Sequence, residues 1–169
     1  MIGFRRAHVN DILQIQKIEN EYYEGFKCPE EILKSWIKQL SENFIVAEEN
    51  KKVLGFIFFE YINEIKAIPF IHELEYKANG KYVYISEVGI LDEFCNSDIL
   101  QNLFEKAMEK SKNDGCKLII WLTGSKSKHD KIEANILLNN GFRKKENAKH
   151  WEAYPNVFVD DHYIWTKNL

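Results

Sequence analysis

The sequence predicts a mixed α/β fold, a central mostly antiparallel sheet with helices on both faces, and three observations carry that prediction. Apolar residues recur at helical spacing in separate stretches along the chain. Between those stretches lie short runs rich in β-branched and aromatic residues. Paired runs near the start read as antiparallel hairpins, while a strand-helix-strand unit in the middle requires a crossover.

Each element has a local reason. Ile2 to Arg6 reads as a short strand, and Asn10-Asp11 offers an N-cap to a helix whose stripe is Ile12, Leu13, Ile15, Ile18 and Tyr22. Gly25 is expected to end it. Cys28-Pro29-Glu30-Glu31 starts a second helix, with proline in the first turn and acids at the positive end of the dipole. Its apolar stripe is Ile32, Leu33, Trp36, Ile37 and Leu40. Phe44 to Glu48 and Val53 to Ile62 read as strands about the polar turn Glu49-Asn50-Lys51-Lys52. Residues 63–80 show no period and read as a long connection. Tyr82 to Leu91 is the next strand. Asn96 or Ser97 then caps a helix with the face Ile99, Leu100, Leu103, Phe104, Ala107 and Met108, closed at Asp114-Gly115. Lys117 to Thr123 has the length and content of a buried strand. A helix over Asp130 to Asn140 follows, with Gly141 as its left-handed terminator. Two closing strands are expected at Arg143 to Glu152 and Phe158 to Lys167.

At 169 residues the chain is read as a single domain over 1–169. Hydrophobic residues at 45% and charged residues at 29% fit a globular chain rather than a disordered one. The formal charge of −3, without a basic run longer than Arg143-Lys144-Lys145, argues against nucleic acid as a partner. No apolar run approaches a membrane span, and the first 30 residues lack the apolar core of a signal peptide. Three cysteines, Cys28, Cys95 and Cys116, form no CxxC pair and fit free thiols in a reducing compartment. A cytoplasmic location is therefore expected. His8, His72, His129, His150 and His162 show no ligand spacing, so no metal site is expected.

The order of elements and several local strings resemble the GNAT superfamily of acetyl-CoA-dependent N-acetyltransferases over essentially the whole chain. Ile2-Gly3-Phe4-Arg5-Arg6-Ala7 with Asn10-Asp11 looks like that family's opening strand and helix cap. Ala47-Glu48 through Val53-Leu54-Gly55-Phe56 is similar to its hairpin. Glu87-Val88-Gly89-Ile90-Leu91-Asp92-Glu93-Phe94 resembles its fourth strand and exit, and Ala134 to Phe142 resembles its second motif, which closes in Gly-Phe.

The resemblance implies a fold of the acyl-CoA N-acyltransferase kind and acetyl-CoA (coenzyme A) as acyl donor. It implies a small-molecule or protein amine as acceptor, and leaves the oligomeric state open. Glu87 would be the catalytic base, because an amine must lose a proton to attack a thioester. The alternative for Glu87 is a strand carboxylate facing solvent or an arginine. Val88, Gly89, Ile90 and Leu91 would border the cofactor, and the loop Cys95, Asn96, Ser97, Asp98, Ile99, Leu100 would meet its diphosphate.

Two departures stand out. The family's diphosphate loop has the form (R/Q)-x-x-G-x-(G/A), so that backbone N–H groups and a helix N-terminus cradle phosphate. Here Cys95 replaces the Arg or Gln, Asp98 the first glycine and Leu100 the last small residue. A carboxylate about 4 Å from a phosphate costs roughly 1–4 kcal/mol at surface-like dielectric. Secondly, the tyrosine that many relatives use to protonate the leaving thiolate is Leu137 here. Tyr154 and Tyr163 could line the acceptor pocket or replace that acid, or could simply pack on the sheet. Cys95, near a helix N-terminus, could be a reactive thiol or a plain substitution. Transfer would proceed by direct attack in a ternary complex. The competing expectation is a catalytically impaired chain that keeps the fold as a binding module.

Overall fold

The computed structural model describes residues 1–24, 27–62, 82–95, 98–124, 129–148, 151–154, 157–159 and 162–169, with the side chains of 130, 145–148, 151–154 and 157–159 excepted. The strands are β1 (Gly3–Arg6), β2 (Phe44–Glu49), β3 (Lys52–Ile62), β4 (Tyr82–Ile90), β5 (Leu118–Gly124), β6 (Arg143–Ala148), β7 (Trp151–Tyr154), β8 (Val157–Val159) and β9 (His162–Asn168). The helices are α1 (Ile12–Tyr22), α2 (Glu30–Gln39), α3 (Ile99–Asn113) and α4 (Asp130–Asn139). Seven strands are hydrogen-bonded in the order β1-β2-β3-β4-β5-β9-β6, and β7 pairs with β8 apart from them. The mixed α/β class read from the sequence holds. The chain gathers into two compact units, Met1–Phe59 with Glu87–Ala107, and Glu60–Ser86 with Met108–Leu169.

In the first unit β1, β2 and β3 run antiparallel, Phe4 facing Ala47 and Val46 facing Phe56. The β2–β3 turn is tighter than the four polar residues suggest. Only Asn50 and Lys51 lie outside the strands, both at positive φ (51° and 66°). That two-residue geometry matches the twist of the flanking strands, and asparagine tolerates it well. The core holds Ile15, Ile18, Phe44, Phe56 and Phe58, and Trp36 of α2 stacks on Phe58 with centroids 4.3 Å apart.

Asp11 stands at the start of α1, yet its carboxylate does not cap that helix. It turns back to accept from the His8 amide (2.7 Å) and from both terminal nitrogens of Arg5 (2.7 and 3.0 Å). Arg5 also donates through Nε to Glu48 (2.7 Å), so one guanidinium ties β1, β2 and the entry to α1 together. Pro29 occupies the position before α2 rather than its first turn. The proposed α1 terminator Gly25, the α3 cap at Asn96 or Ser97, and the connection 63–80 lie outside the described residues.

In the second unit β4 pairs parallel with β5, Tyr82 to Ile85 beside Leu118 to Trp121, and β9 lies antiparallel to both β5 and β6. Ile62, Tyr84, Ile120 and Leu122 form a buried cluster there. The helix terminators behave as expected. Gly141 has φ 75°, its N–H reaches Leu138 O (2.9 Å) and the Phe142 N–H reaches Leu137 O (2.9 Å). That is a Schellman closure, which only a residue free to adopt positive φ completes without strain. Gly115 closes α3 the same way. The two long closing strands are each divided: β6 and β7 replace the first, β8 and β9 the second. Alternation in the sequence carries no mark of where a strand leaves one ladder for another.

Candidate active site

β4 carries Glu87 inside the first unit, and the surroundings of that carboxyl define the site. Glu87 is 5% exposed, so it neither faces solvent nor stands on the surface. Opposite it are Glu19 of α1 and Cys28, both fully buried, and one polar atom from each of the three side chains lies within 4.8 Å of the others. Glu19 Oε2 accepts the Cys28 backbone N–H at 2.9 Å. Its Oε1 is buried and receives no N–H or hydroxyl donor.

Electrostatics follow from burial. Desolvation holds the Glu19 carboxyl above its ordinary range, although Glu87 and the Cys28 amide both pull it down. Burial likewise pushes the Cys28 thiol up, and the neighbouring charges of Glu87 and Glu19 push it further, so the sulfur keeps its proton. Cys28 is thus a neutral wall of the site and not a nucleophile.

Beside Glu87, the Val88 peptide is engaged by a side chain. The Tyr23 hydroxyl donates to Val88 O at 2.6 Å and accepts from Val88 N–H at 3.4 Å. The second contact is long for a hydrogen bond and weak accordingly. Gly89 is required by close packing: a Cβ there would lie 2.8 Å from Phe56 Cε1 and 3.0 Å from Ile18 Cγ2. The absent side chain lets α1 lie close to β4, which brings Glu19 to Glu87. Ile90 and Leu91 are buried, and the Leu91 N–H is spent on Leu54 O (2.9 Å).

The strand exit departs further from a phosphate cradle. The Cys95 N–H bonds Asp92 O (3.2 Å) within a turn, and its half-buried Sγ lies 3.8 Å from Leu91 O. Asp98 is exposed at the start of α3, where its carbonyl accepts the first intrahelical bond, from Asn102 N–H at 2.9 Å. The side chains of Ile99 and Leu100 point into the core. Asn96 and Ser97 lie outside the described residues. The start of α3 is a helix N-terminus, whose dipole favours an anion. The Asp98 carboxylate opposes it.

In the second unit Leu137 is fully buried and serves packing. Tyr163, opposite Thr123 on β5, has the Lys144 ammonium 3.1 Å from its ring centroid. The side chain of Tyr154 lies outside the described residues. His129 is buried, in the residue before α4.

Glu19 and Tyr23 were not singled out from the sequence. For Glu19 a signal existed: it stands i+4 from Ile15 and i+7 from Ile12, on the buried stripe of α1, where an acid has no place without a partner. Tyr23 lies just past the helix end and gives no such sign.

The sequence model described as the acetyltransferase (GNAT) family matches residues 9–133. No curated protein matches the chain in sequence. Among solved structures, the loading GNATL domain of CurA from Lyngbya majuscula superposes with a TM-score of 0.83 at 13% identity, covering 99% of this chain and 98% of that one. The GphF GNAT-like decarboxylase in complex with isobutyryl-CoA gives 0.81 at 12% identity, with 98% of each chain covered. The NatC complex bound to Gag peptide and CoA gives 0.73 at 15% identity, covering 99% and 98%. At these identities the likeness establishes the fold.

Proposed function

Because the chain belongs to the acetyltransferase (GNAT) family, we propose that it moves an acetyl group from acetyl-CoA to a primary amine by direct attack in a ternary complex. The observation that carries this reading is the buried carboxyl of Glu87 beside the main chain of Val88. Two structural neighbours are described with coenzyme A or an acyl-CoA bound, which supports a coenzyme A thioester as donor.

Glu87 takes the proton that the attacking amine must lose. The Val88 N–H, held only weakly by Tyr23, polarises the acyl oxygen once that oxygen displaces the hydroxyl. The first turn of α3 meets the diphosphate through main-chain N–H groups, with Asp98 weakening the contact. Direct attack fits the site because its thiol, Cys28, stays protonated. Among described residues no helix is long and apolar enough to cross a membrane. We keep a cytoplasmic location as part of the proposal.

Acetyl-CoA turnover against a panel of small amines and peptide N-termini tests the reading, with Glu87→Gln as control. Glu87→Gln should lower kcat/KM by roughly 10²–10⁴-fold, the usual worth of a general base. Turnover unchanged in that variant would remove Glu87 from the chemistry. A second reading, a GNAT-fold binding module without transfer, is favoured by the carboxylate of Asp98 where a cradle wants glycine. Calorimetric titration separates the two. Acetyl-CoA binding that strengthens about fivefold in Asp98→Gly, the effect of removing about 1 kcal/mol of repulsion, supports the donor site. No binding at millimolar acetyl-CoA in either protein supports the module.

A further inference from the structure

A serine hydroxyl attacks an acyl carbon near neutral pH only where a neighbouring base takes its proton. Glu60 and Ser86 bring both parts together within the second unit. Glu60 lies near the end of β3 between Phe59 and Tyr61, which are buried as it is. Ser86 lies on β4 and is only half-buried. Its hydroxyl donates to Glu60 Oε2 at 2.5 Å, the separation typical of a hydroxyl that meets an ionised carboxylate.

An acid in an apolar run costs the fold stability unless a partner offsets the loss of water. No ion pair does so here: among the described residues neither lysine nor arginine pairs with Glu60. Burial raises the carboxyl to about 7, and the Ser86 hydroxyl draws it back only in part. A carboxyl of that strength is substantially ionised near neutral pH, yet binds a proton more tightly than an ordinary glutamate. Those are the two properties a general base needs. The strands β3 and β4 are hydrogen-bonded neighbours, so both side chains stand on sheet main chain and not on a loop.

We propose that Ser86 is a nucleophile with Glu60 as its general base, forming a site where the chain is acylated on oxygen by an activated ester or thioester. This does not rest on the transfer reading above. The ester is a modification of the chain, whereas the amine of that reading attacks the thioester directly. In the step, Ser86 Oγ forms a bond to the acyl carbon and its proton passes to Glu60 Oε2. The bond from acyl carbon to the leaving oxygen or sulfur breaks, and that atom departs with the electron pair as phenolate or thiolate. An acyl ester stays on Ser86, and Glu60 gives its proton to water.

Peptide mass spectrometry after brief exposure to p-nitrophenyl acetate, and separately to acetyl-CoA, tests this. In the wild-type protein p-nitrophenyl acetate should place an acetyl group on Ser86, at a rate that rises with pH and levels off above about 7. Glu60→Gln keeps an acceptor for the hydroxyl but removes the base, so the rate at Ser86 should fall roughly 10²–10⁴-fold. Ser86→Ala should lose that label while the slower labelling of lysines stays as it was. Acetyl groups on lysines alone in the wild-type protein would overturn the proposal, and that result needs no variant to fold. Equal rates at Ser86 in wild type and Glu60→Gln would overturn it as well. Ser86 labelled by p-nitrophenyl acetate supports the site whether or not the protein acetylates any amine. Labelling by acetyl-CoA too would identify the thioester as a second donor.

Discussion

Glu60 on β3 offers a direct measure of what burying an acid costs this fold. It is 9% exposed, and its Oε2 accepts one hydrogen bond, from Ser86 Oγ at 2.5 Å. Burial dominates: it pushes the carboxyl from 4.5 up to about 7, against the partial relief that the Ser86 hydroxyl supplies. Below the unfolded value both states carry the proton, and the group contributes nothing to pH dependence. Between 4.5 and about 7 the unfolded chain ionises Glu60 while the native state retains the proton, so the native state binds more protons and stability falls as pH rises. Above that window the loss is constant. At about 1.4 kcal/mol for each pH unit of separation, the window is worth about 3 kcal/mol, a large share of a typical domain's stability. Glu60→Gln keeps an acceptor for Ser86 and removes the titration. Urea unfolding of both proteins at a series of pH values, read as variant minus wild type, isolates the term because every other group cancels. The difference should rise in favour of the variant by about 3 kcal/mol from acid to mildly alkaline pH. A flat difference curve would refute the argument that burial keeps Glu60 neutral.

Other outcomes follow from the same reasoning. Asp11 is pushed up by burial, but the Arg5 bonds and the His8 amide outweigh that and hold it below its ordinary 3.8. Its contribution is thus present above that value and lost as pH falls through the lowered one; Asp11→Ala should cost about 1–2 kcal/mol at neutral pH, with the gap closing in acid, by denaturant titration. Gly89→Ala places a methyl 2.8 Å from Phe56 and 3.0 Å from Ile18; a loss of about 1–3 kcal/mol in unfolding, accompanied by reduced turnover as α1 moves Glu19 from Glu87, is expected. Tyr23→Phe removes a weak competitor for the Val88 N–H, and steady-state kinetics should show a lower KM for acetyl-CoA with kcat little changed. A fall in kcat alone would assign the hydroxyl a part in the chemistry.

Much of the fold was legible because each local rule had a sequence mark. The stripe on α2, the acids at its start, and Gly115 and Gly141 after α3 and α4 depend on neighbours within a few residues. The closing strands were misread as two long ones, since a break between ladders is decided by which strand lies alongside. Asp11 sits where a capping residue belongs, and the His8 amide together with Arg5 arriving from β1 explains why its carboxylate turns the other way.

For the site the division is sharper. Glu87 could be singled out from a string that resembles a family's fourth strand, and the loss of glycine at Cys95 to Leu100 could be seen in the same way. Whether Glu87 would be solvated or buried could not, because strand alternation says which face a residue takes and not what covers it. Residue order alone determined the class of fold, the family likeness and the departure of Cys95 to Leu100 from the family's loop pattern. The tertiary structure alone decided that Glu87 meets Glu19 across a gap kept narrow by Gly89, since two carboxyls so far apart along the chain become neighbours only once packing has closed the distance.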